Sequence, residues 1–278
     1  MNSSAVTLTS GISQNLYSLQ SIEKSMEETS YRLSTGKRVN SALDDPLNYF
    51  AAQNHTQRAS DLSLRKDEMS EGIQTIEAAD NGIETILDLL DSAKSLAQSA
   101  LSAEDESEVT EYMTQYNNTL AEITDLAADS GYKGVNLLQD GNTLEVFFDE
   151  TGDSSITLTG FDASATGLGI TDATTWWDST AEAVDTTAIN ADIDLIDTAK
   201  STLRAQSKTL SNNLSIVTAR EDFTEKMINT LEDGAASLIN ADTNEESANL
   251  LTLQTQQQLA TNSLSIASSS YSAVLNLF

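Results

Sequence analysis

Residues 32–53 read RLSTGKRVNSALDDPLNYFAAQ. Three basic side chains, Arg32, Lys37 and Arg38, are followed by Asp44 and Asp45, then by Pro46, the only proline in the 278 residues. A helical period runs up to this stretch and another runs away from it. Gly36 interrupts the first, because glycine readily takes the left-handed turn that closes a helix. Asp45 is placed to cap the second, with Pro46 at its first helical position. There the missing N–H costs nothing and the fixed φ helps. The stretch thus predicts a boundary between two helical layers.

Both ends of the chain carry one period. Leu8, Ile12, Asn15, Leu19, Ile22, Met26, Thr29 and Leu33 alternate in steps of four and three. So do Leu253, Gln257, Ala260, Leu264, Ala267, Tyr271, Val274 and Phe278. Sustained spacing of this kind keeps one seam on one side of a helix and favours a left-handed coiled coil. Leu16 on the first helix, and Leu250, Leu251, Leu259, Ile266 and Leu275 on the second, lie off that seam. A helix pair cannot bury a second apolar stripe by itself; a lateral partner can, which points to self-association.

The middle is patterned differently. Leu62, Met69, Ile73, Ile76, Ile83, Leu87, Leu90, Ala97 and Leu101 fit one helical frame, opposed by Glu71, Glu77, Glu84, Asp88 and Asp91. Gly72 and Gly82 each weaken that helix by about 1 kcal/mol relative to alanine. A second helix carries Val109, Met113, Tyr116, Leu120, Ile123 and Ala127, and DSGYKG (129–134) ends it. LEVFF (144–148) and SITLT (155–159) alternate around DETGDS, which predicts a β-hairpin. Residues 160–180 read as loop, and a last long helix is expected from about Ala181 to Leu231, with Ile189, Ile193, Ile196, Leu203, Leu210, Leu214, Val217, Ile228 and Leu231 in one frame. The fold class is therefore mainly α: a terminal coiled coil, plus an antiparallel helical bundle with a small hairpin near 144–159. The expected domains are 1–42 and 238–278 as the two halves of the coiled coil, and 43–237 as the bundle.

Charge follows the same division. The net charge is −29, yet residues 1–42 hold four basic and three acidic side chains, and 238–278 only Asp242, Glu245 and Glu246. Nearly all the negative charge lies between, so nucleic acid is excluded as a partner. No apolar run is long enough for membrane insertion. The start MNSSAVTLTSGIS has no basic region and no apolar core, so no cleaved signal peptide is expected. Chemistry is sparse: there is no cysteine, one histidine (His55), and no HExxH, Walker A or GxGxxG motif. STGKR lacks the glycine-rich loop of a phosphate site. No catalytic residue, metal or cofactor is expected. Trp176 and Trp177 are expected to cover the end of the hairpin or the bundle.

The opening stretch resembles the N-terminal motif of bacterial flagellins, Leu-Ser-(Ser/Thr)-Gly-x-(Arg/Lys)-(Ile/Val)-Asn-(Ser/Ala)-Ala-x-Asp-Asp, here Leu33 to Asp45. NADTNEESANLLTLQTQQQLATNSL (240–264) resembles the family's C-terminal pattern at Ala241, Asp242, Glu246, Ala248, Asn249, Gln254, Gln257 and Gln258. YKGVNLL (132–138) resembles its Phe/Tyr-Asn-Gly-x-x-Leu-Leu turn, with Lys133 where Asn is usual. The resemblance implies a subunit of the helical flagellar filament, extracellular and serving swimming motility. It implies type III export in the unfolded state, and export-chaperone, filament-cap and hook-junction partners. It also implies that the terminal helices order on assembly, with Leu8, Ile12, Leu19, Ile22, Met26, Leu33, Leu253, Ala260, Leu264, Tyr271, Val274 and Phe278 in the coiled coil. Gly36, Lys37, Arg38, Asn40, Asp44, Asp45 and Pro46 become linker and subunit-contact residues. No large outer insert is expected. The alternative within the same family is a hook–filament junction protein, distinguished by its low copy number. KSLAQSA (94–100) departs from the family's immune-receptor segment, with Lys94 in place of Arg.

Overall fold

The computed structural model describes residues 10–275. Its elements are α1 (Ser10–Thr35), α2 (Pro46–Ala100), α3 (Glu106–Asp129), β1 (Thr143–Phe147), β2 (Ser155–Thr159), β3 (Trp177–Asp178), β4 (Ala183–Val184), α4 (Thr186–Ile239) and α5 (Thr243–Leu275). They form two compact units: one from residues 59–228, the other from the two ends of the chain, through Arg58 and from Asn229.

The 59–228 unit has a closed apolar core. Met69, Ile76, Ile83 and Leu90 of α2 are essentially inaccessible, as are Tyr116, Leu120 and Ile123 of α3 and Ile189, Ile196 and Leu203 of α4. These are the periodic positions of the sequence. Polar pairs fix the sense of packing: Lys94 with Asp197, Lys200 with Asp91, the Ser207 hydroxyl with Asp80, and Lys66 with Glu225. Numbers fall along α2 as they rise along α4, so the two helices are antiparallel. The carboxylates of Glu71, Glu77, Glu84, Asp88 and Asp91 face solvent.

β1 and β2 pair antiparallel, with Leu144 opposite Leu158 and Val146 opposite Ile156. The hairpin presses on α2, which explains the helix glycines. A Cβ on Gly72 would stand 2.7 Å from Val146 Cγ2, and one on Gly82 would stand 2.7 Å from Leu138 Cδ1. What reads as a weak helix is where hairpin and turn come close. Asn136, nearly buried, staples the turn: its amide donates to the carbonyls of Ala127 and Ala128 and its oxygen accepts from the Leu138 N–H.

Two sequence expectations change here. Residues 160–180 are not all loop, because Trp177–Asp178 pairs with Ala183–Val184. The last helix begins at Thr186 rather than Ala181, since Asp185 caps it by accepting from the N–H groups of Thr187 and Ala188. It also runs past Leu231 to Ile239, because Leu231 and Ala235 are buried and their packing outweighs the cost of Gly234. Trp176 is buried, its ring centroid 4.9 Å from that of Tyr116 and its Nε1 donating to Asp192 at 2.6 Å. Burial raises the Asp192 carboxyl above its usual range, partly offset by that hydrogen bond.

Candidate functional site

In the unit formed by the chain ends, α1 and α5 pack antiparallel, with the end of α1 beside the start of α5: Arg32 reaches Glu246 at 3.6 Å. The seam positions Ile12, Leu19, Ile22, Met26 and Leu33 are half-buried, as are Leu253, Ala260 and Leu264. Leu8 and Phe278 lie outside the described residues, as do the side chains of Tyr271 and Val274. Outside the seam the helices are bare. Leu251 is 65%, Leu259 62% and Ile266 68% exposed, and Tyr17 of α1 is 73% exposed. The three α5 residues, spaced by eight and seven, make one stripe along one helix face. Leu250, also off the seam, is half-buried.

The seam's most buried side chains are polar. Among the described residues of α1 and α5, Thr29 and Glu246 alone are buried, each 8% exposed. Arg32 serves both Glu246 and Glu28, the latter at 2.8 Å. An ion pair with one buried member, here Glu246, fixes register more than it adds stability. Periodicity does not reveal this pair, since Arg32 and Glu246 lie off the apolar frame, Arg32 just before the N-terminal motif and Glu246 inside the C-terminal one.

Those motifs are also joined through their backbones. The N–H groups of Arg38 and Val39 both donate to the Ile239 carbonyl, and the Ala241 N–H donates to the Gly36 carbonyl. Lys37 and Asn240 form an antiparallel bridge, and Arg38 Nη2 donates to the Leu238 carbonyl at 3.3 Å. Gly36, at φ +67°, supplies the left-handed residue that ends α1.

The rest of the linker is organised by its two aspartates. Asp44 accepts from the N–H groups of Asn40 and Ser41 and from the Ser41 hydroxyl, and the Asn40 amide donates to the Lys37 carbonyl. The Ser41 and then the Asn40 backbone bonds hold the Asp44 carboxyl below its ordinary value. Asp45 accepts from the Asn48 N–H at 3.1 Å, which caps α2 behind Pro46 and lowers the Asp45 pKa. Lys37 and Arg38 remain exposed. Beside them stands a feature the sequence reading passed over: Leu43, Leu47 and Phe50 are 96%, 80% and 55% exposed. Leu47 and Phe50 stand three apart at the start of α2, and Leu43 lies in the linker turn just before it.

Among the described residues no group of acidic or histidine side chains could hold a metal ion, and no helix is long and apolar enough to cross a membrane. The class defined by this arrangement is a helical structural subunit whose terminal pair leaves large apolar side chains exposed. Residues 8–143 match the bacterial flagellin N-terminal helical region. Flagellin FljO of Caulobacter vibrioides is 32% identical over 99% of this chain and 98% of its own length. A flagellin of Brucella melitensis is 30% identical over 100% of this chain and 97% of its own. A crystal structure of Bacillus cereus flagellin overlaps 56% of this chain and 88% of its own, at 16% identity and a TM-score of 0.47. The chain belongs to the flagellin family, a structural family of the bacterial flagellar filament and not an enzymatic one.

Proposed function

We propose that the α1–α5 pair is the polymerising element of this filament subunit, with 1–42 and 238–278 forming the inner assembly layer and 43–237 the outer one. One observation carries this reading: Leu251, Leu259 and Ile266 form a continuous exposed stripe on a helix whose own seam is only half-closed. Burying each Leu or Ile against a neighbouring copy contributes roughly 1.5–3 kcal/mol. Ile12, Leu19, Ile22, Met26, Leu33, Leu253, Ala260 and Leu264 hold the pair together. Lys37 and Arg38 are the exposed linker charges that would meet another copy, Arg38 with the donors its bond to the Leu238 carbonyl leaves over, whereas Asp44 and Asp45 are engaged within the turn.

Helices with so little buried surface are marginal alone and order when partners cover them. That suits a chain exported unfolded by the flagellar type III system and folded at the filament tip, outside the cell. An export chaperone would then shield the stripe before export, and the cap and hook-junction proteins would receive the chain afterwards. Truncation after Asn249 tests the reading. The 59–228 unit should keep its helical signal and melting transition, while seeded polymerisation is lost. Polymerisation of the truncated chain at the full-length rate would end it.

A further inference from the structure

The exposed residues Leu43, Leu47 and Phe50 and a groove in the 59–228 unit complement each other in polarity and charge. The ridge is presented firmly: Asp44 and Asp45 fix the turn beneath it, and Tyr49 holds the Phe50 ring edge-on at 5.6 Å between centroids. The groove, of about 680 Å³, lies between α2 and the β1–β2 hairpin. Leu64, Val135, Leu144 and Phe147 supply its apolar walls, and Leu64 is 62% exposed. Its rim is acidic. Arg65 is taken by Glu68 and Lys133 by Glu71, while Asp67 and Glu145 join no ion pair among the described residues. Beside the ridge, Lys37 and Arg38 are exposed. An apolar ridge flanked by cations thus matches an apolar groove rimmed by carboxylates.

We propose that the Leu43–Leu47–Phe50 ridge of one copy seats in the α2–hairpin groove of a second copy, with Lys37 and Arg38 facing Asp67 and Glu145. The proposal rests on the reading that the chain polymerises, and it adds a contact separate from the α5 stripe. Ridge and groove are different surfaces, so the contact is head-to-tail. Repeated, it propagates an open polymer instead of closing a dimer. Raised ionic strength weakens it by screening the four charges.

The chain has no cysteine, which makes the test clean. Leu47 and Leu64 are both largely exposed, so Leu47→Cys and Leu64→Cys leave the packed interior untouched. The two variants, carrying tags of different size, are mixed, polymerised on wild-type seeds and oxidised. The expected product is a disulfide-linked heterodimer carrying both tags, absent when either variant polymerises alone. Filaments without that heterodimer overturn the contact. Failure of the wild-type chain to polymerise on seeds overturns instead the reading beneath it. As a second measurement, Leu43→Ser/Leu47→Ser/Phe50→Ser should raise the critical concentration for polymerisation at least tenfold at unchanged monomer helicity. An unchanged critical concentration contradicts the proposal.

Discussion

The two helical regions of this chain are both amphipathic and differ in what they bury. In the 59–228 unit, Ile76, Ile86 and Leu90 of α2 have no accessible surface, and α3, α4 and the hairpin close around them. In the terminal pair no apolar side chain among the described residues of α1 and α5 is buried, and the two that are, Thr29 and Glu246, are polar. Amphipathic spacing therefore does not determine burial. What determines it is how many elements surround a helix. One region carries its own core; the other leaves apolar side chains open to solvent, which the proposed assembly would cover with further copies.

This contrast can be broken most severely at the exposed stripe. Leu251→Ser/Leu259→Ser/Ile266→Ser should abolish filament elongation in seeded turbidity assays, while the monomer's melting transition stays where it was. Loss of the monomer's fold instead would show that the stripe is covered within one chain. Next comes one substitution made in both regions. Leu90→Ala leaves a cavity in a closed core and should cost about 3 kcal/mol in urea unfolding. Leu253→Ala, at a half-buried seam position, should cost about 1 kcal/mol, because part of its surface already meets water. Equal costs would erase the distinction. Smaller still is the polar pair. Glu246→Ala should loosen the α1–α5 pair by about 1 kcal/mol, discounted because Arg32 is partly solvated. The exchange Arg32→Glu/Glu246→Arg should recover part of that loss, read as helicity of the end segments.

The smallest effect is acid sensitivity of the linker. Asp44 and Asp45 titrate below the ordinary 3.8 because backbone N–H groups bond their carboxylates. A lowered folded pKa means that stability is present above 3.8 and lost as pH falls through the folded value. Protection factors across 36–48, which remove the intrinsic pH dependence of amide exchange, should therefore fall only below about pH 4. Asp44→Asn should remove part of that pH dependence, whereas a loss of protection already at pH 6 would contradict the assignment.

Much of this architecture is legible in the sequence, for identifiable reasons. The frames of α2, α3 and α4 were readable because one element type faces one core, so Met69, Tyr116 and Ile196 announce themselves by period. Asp45 and Pro46 were readable because a cap and a first-turn proline act locally. The β3–β4 pair was not, since two-residue strands have no period to detect. The start of α4 was missed because Asp185 decides it against equally helical neighbours. Gly72 and Gly82 read as weaknesses because the hairpin and the turn that need their missing side chains lie far off in sequence. At the candidate site, the seam and the stripe were visible. The meeting of Arg32 with Glu246, and of the Gly36 and Ile239 carbonyls with the opposite linker, was not, because each joins residues about two hundred positions apart.

The most direct measurement is amide exchange by mass spectrometry on monomer and on seeded filament, compared over 250–270 and over 76–97. The account predicts weak protection of 250–270 in the monomer and strong protection in the filament, with 76–97 protected in both. Equal protection of 250–270 in monomer and filament would show that α5 is already covered within one chain, and would contradict it.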